Sequence, residues 1–114
     1  WQAMNAIVRL REQTMALVQG VNYLLLPATP TTAFKAEDVA PKGYTLFDAW
    51  CNTFLFNLTE QPALSICSGL SSNAMPIGLQ IVGHRFDDMG VMQMGRWYET
   101  LRDLPDRWAP WGLS

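Results

Sequence analysis

Serine, histidine and acidic side chains near the middle of the chain are the first candidates for chemistry. The single histidine, His84, stands close to Asp87, and four serines precede it: Ser65, Ser68, Ser71 and Ser72. A hydrolytic triad needs such a nucleophile, base and acid within hydrogen-bonding reach. None of these serines lies in the Gly-x-Ser-x-Gly turn that exposes a nucleophile, and a histidine directly after the strand-ending Gly83 is expected to hydrogen-bond to backbone. The residues therefore predict no triad in this chain.

Other catalytic or ligand-binding arrangements have less support. A Ser–Lys pair needs a lysine held near neutrality, but Lys35 and Lys42 lie in a polar loop and are expected to be solvated. One histidine beside two acids at a helix start does not supply three metal ligands. Ser68 to Asn73 is rich in glycine and serine, but no helix clearly follows it, so a phosphate cradle is not indicated. We predict no catalytic, cofactor-binding or metal-ligating residue in this chain, and no cofactor.

The composition is that of a short, apolar chain with few charges. Its 114 residues suffice for one domain, and 49% of them are hydrophobic while only 16% are charged, against a usual charged share of about 25%. With five Trp and six Met, so small a body is expected to turn apolar surface toward a partner or toward the rest of a longer chain. The net charge of −2, without a basic stripe, argues against nucleic-acid binding by this segment.

The sequence also carries expectations about location and chain ends. No targeting segment is visible, and the longest apolar run, Tyr23 to Leu26, is too short to span a bilayer. Cys51 and Cys67 have neither metal-binding nor redox spacing, so we interpret them as buried thiols of a cytoplasmic protein. The chain begins at Trp1 within a helical pattern, which favours a truncated N-terminus.

Hydrophobic periodicity predicts the first half of the fold. A helix covers Gln2 to Gln19 and ends at Gly20, and its apolar stripe comprises Ala3, Ile7, Leu10, Thr14 and Leu17. The apolar run from Val21 to Pro27 predicts a strand buried on both faces, which favours a parallel or mixed sheet. Residues 28–43 then form a long loop of the kind that is usually functional or mobile.

The second half begins with Thr45 to Asp48, which resembles a capping box with Asp in place of Glu. The helix that follows has one apolar face made of Phe47, Trp50, Cys51, Phe54 and Leu58. Strands over Ala63 to Cys67 and Ile77 to Gly83 flank a turn-rich loop. The last helix runs from Asp87 or Asp88 to about Leu101, with a buried stripe made of Val91, Met94, Tyr98 and Leu101. In the tail, Trp108 and Trp111 are expected to lie against a surface.

This order of elements predicts an α/β fold in which helices pack on a small mixed β-sheet. Three strands leave two open edges, which a stand-alone domain has to protect. We therefore interpret residues 1–114 as a single partial domain cut from a larger sheet. The alternative is a small self-associating module without a catalytic role, which would cover the open sheet edges and the exposed apolar residues by association.

Four segments in order resemble the amidase signature family. Leu24 to Pro30 is similar to its strand-and-threonine-proline segment, and Asn57 to Ser65 to its Asn…Thr-Gly-x-Pro-Ala-x-Ser stretch. Met75 to Gly83 resembles Leu-Pro-Ile-Gly-Leu-Gln-x-x-Gly, and Arg85 to Asp88 the loop and helix cap after it. This sequence departs from the family pattern at three positions, Glu60 and Ala74 for Gly, and Cys67 for Pro. Glu60 puts the local turn in doubt, because glycine permits backbone angles that glutamate resists.

The resemblance implies a parent enzyme that hydrolyses or transfers amides with a Ser–cis-Ser–Lys triad, on a larger α/β/α fold. Those three residues lie upstream of the matched segments, so no catalytic role is carried over to this chain. The fragment alone is expected to be inactive, to complete the sheet and to wall part of the funnel for a small-molecule amide. It is expected to dock on the missing N-terminal part or to form a homo-oligomer. Part of an A-type component of a tRNA-dependent amidotransferase is a further option within the family.

Overall fold

The computed structural model describes residues 1–48 and 51–104, and the main chain alone for Cys51. The predicted order of helices and strands is confirmed. The elements are α1 (Gln2–Leu17), β1 (Leu24–Pro27), α2 (Cys51–Thr59), β2 (Ala63–Leu70), β3 (Pro76–Val82) and α3 (Asp88–Leu101). Trp108 and Trp111, for which contacts were predicted, lie outside the described residues.

The three strands form one sheet in the order β1-β3-β2, and both pairings are antiparallel. The α/β class is confirmed, but the expectation of a mixed sheet is wrong for the described part of the chain. A tight turn, in which the Ser71 amide donates to the Met75 carbonyl over 2.8 Å, joins β2 to β3 as a hairpin. So short a connection only permits antiparallel pairing, because parallel strands need a long crossover.

Strand β1 is shorter and more open than its composition predicts. It covers Leu24–Pro27, and alternate residues face solvent, with Leu25 52% exposed. The prediction of burial on both faces is therefore wrong. β1 is an edge strand of the described sheet, a position that also tolerates Pro27, which has no N–H to give to a ladder.

Helices cover both faces of this sheet. Ile81 and its pairing partner Leu64 share the face under α3, where a Cβ on Gly95 would overlap the Leu64 side chain. Gln80 points to the opposite face, and its Nε2 donates to the carbonyl of Asn52 in α2 over 2.9 Å. The sheet is thus the middle layer of three, and its central strand supplies the most buried apolar side chains, Ile81 and Val82.

Helix α2 buries a different side from the one predicted. Phe56 is 4% exposed, whereas Phe54, on the predicted apolar face, is 45% exposed. The reciprocal hydrogen bonds of the predicted capping box are present, since Asp48 accepts from the Thr45 amide and hydroxyl, and its own amide donates to the Thr45 hydroxyl. Phe47, however, lies in a turn ahead of Cys51, the first residue of α2, so a helical phase counted from Phe47 is wrong. Trp50 and the Cys51 side chain lie outside the described residues.

The other two helices follow their predictions more closely. α1 ends at Leu17, two residues early, and Gly20 takes a left-handed φ of 91° just beyond it. α3 starts at Asp88 with Asp87 as its N-cap, whose side chain accepts from the Gly90 amide over 3.1 Å. Of the predicted stripes, Thr14 and Val91 are buried, whereas Leu17 and Leu101 are exposed.

Candidate functional site

The histidine and the acid that were considered for a triad, His84 and Asp87, form hydrogen bonds with the main chain instead. His84 Nε2 lies 2.8 Å from the Val21 carbonyl, so the expected backbone hydrogen bond is confirmed. Asp87 caps α3 with one carboxylate oxygen and accepts from the Tyr23 hydroxyl over 3.3 Å with the other. Partial burial, followed by the Asp87 charge and this hydrogen bond, raises the pKa of Tyr23. Asp87 is thus engaged by α3 and Tyr23 and does not orient an imidazole.

The candidate serines lie in or beside the β2–β3 hairpin. Ser68 Oγ donates to the Ile77 carbonyl over 3.2 Å, at the bulge between Cys67 and Gly69. Ser71 Oγ accepts from the Met75 amide over 3.1 Å and so closes the hairpin turn. Within residues 1–48 and 51–104, no hydrogen bond joins any of the four serines to His84. The hydroxyls of Ser68 and Ser71 therefore stabilise the hairpin, and no imidazole is hydrogen-bonded to either of them.

The remaining candidates for chemistry are dispersed. Lys35 and Lys42 are exposed in the long loop, as the sequence predicts. In the part of the chain that the structure describes, no three His, Cys, Asp or Glu side chains converge as a metal site would require. The helices described here are also too short or too polar for any of them to cross a membrane.

A polar cluster surrounds Glu60 just before β2, at a position where the pattern that this segment resembles has glycine. Glu60 has a φ of 58°, in the left-handed region, as a residue standing in for glycine would require. Its carboxylate binds Arg11 Nη2 of α1 over 2.8 Å and also binds Arg85, which follows β3. Glu60 thus combines a backbone conformation that residues other than glycine resist with ion pairs to two separate parts of the chain.

Next to this cluster, a buried hydrogen-bond chain runs from the end of α2, through the segment that leads into β2, to the residue that follows β3. The fully buried Thr59 hydroxyl donates to Gln61 Oε1 over 2.9 Å, and Gln61 Nε2 donates to the Gly83 carbonyl over 3.0 Å. Sequence reasoning missed Gln61. The only signal was an amide side chain two residues after a threonine at a predicted helix end, which is also common on surfaces.

The long loop after β1 forms a concavity that combines polar hydroxyls with apolar walls at the end of a strand. It encloses about 280 Å³ and is lined by Thr29, Pro30, Thr31, Thr32, Ala33, Phe34 and Pro41. Asn52 Nδ2 donates to the Pro27 carbonyl over 3.0 Å, and Ala28 packs on Gly78, where an added Cβ would lie 2.9 Å from the Ala28 Cβ. The start of the loop is therefore fixed to α2 and β3. The hollow offers hydroxyl groups and an aromatic ring to a ligand, but no acid–base pair.

Comparison with protein families identifies what this arrangement is similar to. A family model described as Amidase matches residues 1–92. The A-type component of the glutamyl-tRNA(Gln) amidotransferase of Myxococcus xanthus is 34% identical over 101 residues, which are 89% of this chain and 21% of the relative. Its counterpart in Pseudothermotoga lettingae is 43% identical over 77 residues, 67% of this chain and 16% of the relative. The chain thus spans about a fifth of the length of these relatives.

Solved structures give the same result at the level of the fold. The A-type component of the glutamyl-tRNA(Gln) amidotransferase of Thermotoga maritima superposes with a TM-score of 0.75 at 32% identity, covering 90% of this chain and 22% of the relative. A solved amidase superposes with a TM-score of 0.80 at 27% identity, covering 89% and 24%. A 6-aminohexanoate cyclic dimer hydrolase reaches 0.67 at 26% identity, covering 89% and 23%.

Proposed function

Because this chain belongs to the Amidase family, we propose that it is a non-catalytic part of an amide-cleaving domain, with residues 1–114 as a single partial domain. The nucleophile and base, a Ser–cis-Ser–Lys triad, are then supplied by the four fifths of the relatives' length that this chain does not span. The family predicted from the four segments is confirmed, whereas the triad and its location belong to the proposal.

The observation that carries this proposal is that the reactive side chains of this chain form structural hydrogen bonds. Ser68 and Ser71 hold the hairpin, His84 binds a carbonyl and Asp87 caps α3. A catalytic serine needs a base within about 2.6–3.2 Å, and no such neighbour is present for these serines among the described residues. Their hydrogen bonds support a structural role.

The loop after β1 is the part of the chain that we assign to the substrate. Its hollow of about 280 Å³ is apolar with a few hydroxyl groups, which is the usual character of a small-molecule site. Pro27 and Ala28, just before the residues that line the hollow, are anchored by α2 and β3, which keeps the start of the loop in place. In the proposed domain this loop walls part of the funnel through which a small amide reaches the triad.

A second candidate is part of the A-type component of an amidotransferase, and the names of the curated relatives favour it. In this case the chain docks on the rest of that polypeptide, which works with partner proteins. The loop and the polar cluster keep the same roles in both candidates. A cytoplasmic, reducing compartment belongs to both, and the free thiol of Cys67 suits it.

The proposal is tested by assaying the purified chain on a simple aryl amide and with a fluorophosphonate probe that labels activated serines. We expect neither turnover nor labelling, while an intact amidase of the family shows both. Turnover that disappears when Ser65, Ser68, Ser71 or Ser72 is replaced by alanine would overturn the proposal, because the chain would then contain its own nucleophile.

A further inference from the structure

The described residues that line the hollow in the loop after β1 carry no charge. The hollow has a volume of about 280 Å³, and its walls are made of threonine, proline, alanine and phenylalanine side chains. Pro41 is buried, whereas Phe34 is 45% exposed, so that part of its ring is open to a ligand. Taking a charged group out of water is costly when no opposite charge pairs with it. The hollow is therefore suited to an uncharged part of a substrate.

The hydroxyl groups of the hollow differ in whether they already form hydrogen bonds. Thr29 Oγ1 donates to the Thr31 carbonyl over 2.7 Å, so this hydroxyl holds the bend at the start of the loop. Thr31 and Thr32 are half-buried, and their hydroxyls have no hydrogen-bond partner among residues 1–48 and 51–104. A hydroxyl donates one hydrogen bond and can also accept. Two such groups match an amide, whose carbonyl accepts and whose N–H donates.

The charged residues of this loop do not line the hollow. Lys35 and Lys42 each follow a lining residue in the sequence, and both are exposed. Glu37 and Asp38, which are exposed as well, lie between the two lysines, so the loop over residues 28–43 has no net charge. An ion pair with an exposed lysine contributes little to binding, because water and salt screen it. The loop therefore gives an anionic ligand no clear advantage over a neutral one.

We propose that the hollow holds the ring of an uncharged aryl amide, with Phe34 against the ring and the hydroxyls of Thr31 and Thr32 on the amide group. This assignment rests on the proposed function, and it names the substrate class for the loop that walls the funnel. Phe34 selects an aromatic group, because two rings pack favourably in offset or edge-to-face arrangements. The uncharged walls disfavour a ring that carries an ionised carboxylate or ammonium group.

Titration of the full chain with benzamide, followed by NMR of the threonine methyl and phenylalanine ring signals, tests the assignment. We expect the signals of Thr31, Thr32 and Phe34 to shift with a dissociation constant on the order of 1 mM, because the loop forms only one wall of a site. Terephthalamate is the matched charged probe, since it adds only a carboxylate to the same ring. Its dissociation constant should be at least about tenfold higher than that of benzamide.

Variants of the lining residues separate this site from nonspecific binding to exposed apolar surface. Phe34→Ala should raise the dissociation constant for benzamide about tenfold, whereas Phe34→Tyr keeps the ring and should stay within about twofold of the parent. Thr31→Val and Thr32→Val together should raise it about fivefold, because both hydroxyls are lost at nearly constant volume. Phe86→Ala is the control, since Phe86 is an exposed aromatic residue outside the hollow, and it should leave binding unchanged. Circular dichroism checks that the variants keep their helices.

Terephthalamate that binds as tightly as benzamide, or more tightly, would overturn the assignment, because the lysines of the loop would then select an anion. Absence of shifts up to the solubility limit of benzamide, or binding that is insensitive to Phe34→Ala, would equally overturn it. The proposed function fails by a different result, the labelling of a serine of this chain by the fluorophosphonate probe. The two failures are therefore distinguishable, because binding in the hollow is measured without catalysis.

Discussion

Replacement of Glu60 tests how the fold accommodates a glutamate where the family has glycine. The residue combines an unfavourable left-handed φ of 58° with two ion pairs to Arg11 and Arg85. Glu60→Ala removes the ion pairs and keeps the backbone cost. Glu60→Gly removes the ion pairs and the backbone cost together. Comparison of the two variants therefore isolates the backbone term from the electrostatic one.

The magnitudes follow from the exposure of the cluster. The Glu60 side chain is 53% exposed, so each pair is worth only about 0.2–1 kcal/mol. Glu60→Ala should thus lower the free energy of unfolding by about 1 kcal/mol. A left-handed φ costs a residue other than glycine about 1–2 kcal/mol. Glycine avoids this cost, but it also increases the conformational entropy of the unfolded chain, which offsets part of the gain in stability. Glu60→Gly should therefore be about 1 kcal/mol more stable than Glu60→Ala, and close to the parent chain.

Urea unfolding followed by circular dichroism measures these differences. Ala74→Gly is the matched control, because Ala74 has a φ of 59° and its methyl side chain forms no ion pair, so glycine alone should stabilise by about 0.5–1 kcal/mol. Salt at about 1 M should narrow the gap between the parent and Glu60→Ala, since it screens exposed pairs. If Glu60→Ala were as stable as Glu60→Gly while Ala74→Gly gave no gain, the argument from backbone strain would be refuted.

Three further perturbations follow from the fold. Gly78→Ala should lower the free energy of unfolding by about 1–3 kcal/mol, because the new Cβ would lie 2.9 Å from the Ala28 Cβ; thermal melting measures it. Gln61→Leu should cost about 2 kcal/mol in urea unfolding, because it leaves a buried hydroxyl and a buried carbonyl unpaired. Hydrogen bonds from the Thr45 hydroxyl and amide lower the pKa of Asp48 below 3.8. Their stabilisation is therefore complete above pH 3.8 and is lost as the pH falls through the folded-state pKa, so Asp48→Asn should flatten the acid limb of the stability profile.

Each of these has a direct control. Gly69→Ala serves for the glycine in β3, because an added Cβ at that position meets no atom within 4 Å, and equal losses for the two variants would contradict the packing argument. Gln61→Glu keeps an acceptor for the Thr59 hydroxyl but sets a buried carboxylate against the Gly83 carbonyl, so at neutral pH it should be at least as destabilising as Gln61→Leu. An unchanged acid limb in Asp48→Asn would show that the capping box does not titrate as described.

The sequence predicted most of the helices and strands correctly, because capping residues and hydrophobic periodicity determine them locally. The Asp87 cap follows from the residue types that a helix start accepts. The bounds of α3 follow from helical periodicity and from acids at its start. In these places one neighbourhood of the chain decides the structure.

The predictions failed where contacts with residues that are distant in the sequence determine the structure. An apolar run such as Leu24 to Leu26 has the composition of a doubly covered strand, yet its position at the edge of the described sheet exposes Leu25. The buried side of α2 depends on where the helix starts after its capping box and on the strand below it, so Phe56 replaces Phe54 in the core. The Thr59–Gln61–Gly83 chain links residues 24 positions apart, a distance over which one sequence has no periodic signal.

In the proposed domain, this chain supplies scaffold and pocket wall while another part supplies the nucleophile. The most direct measurement is the activity of a chimera in which this chain replaces the matching 24% of the solved amidase with which it superposes, assayed on the host's own amide. We expect the chimera to cleave the amide, and alanine at the host's nucleophile to abolish turnover. Alanine at Ser65, Ser68, Ser71 and Ser72 together should leave turnover within about threefold, since the lost hairpin hydrogen bonds cost roughly half a kcal/mol. Turnover that survives loss of the host's nucleophile and disappears with the four serines would show that this chain contains the nucleophile.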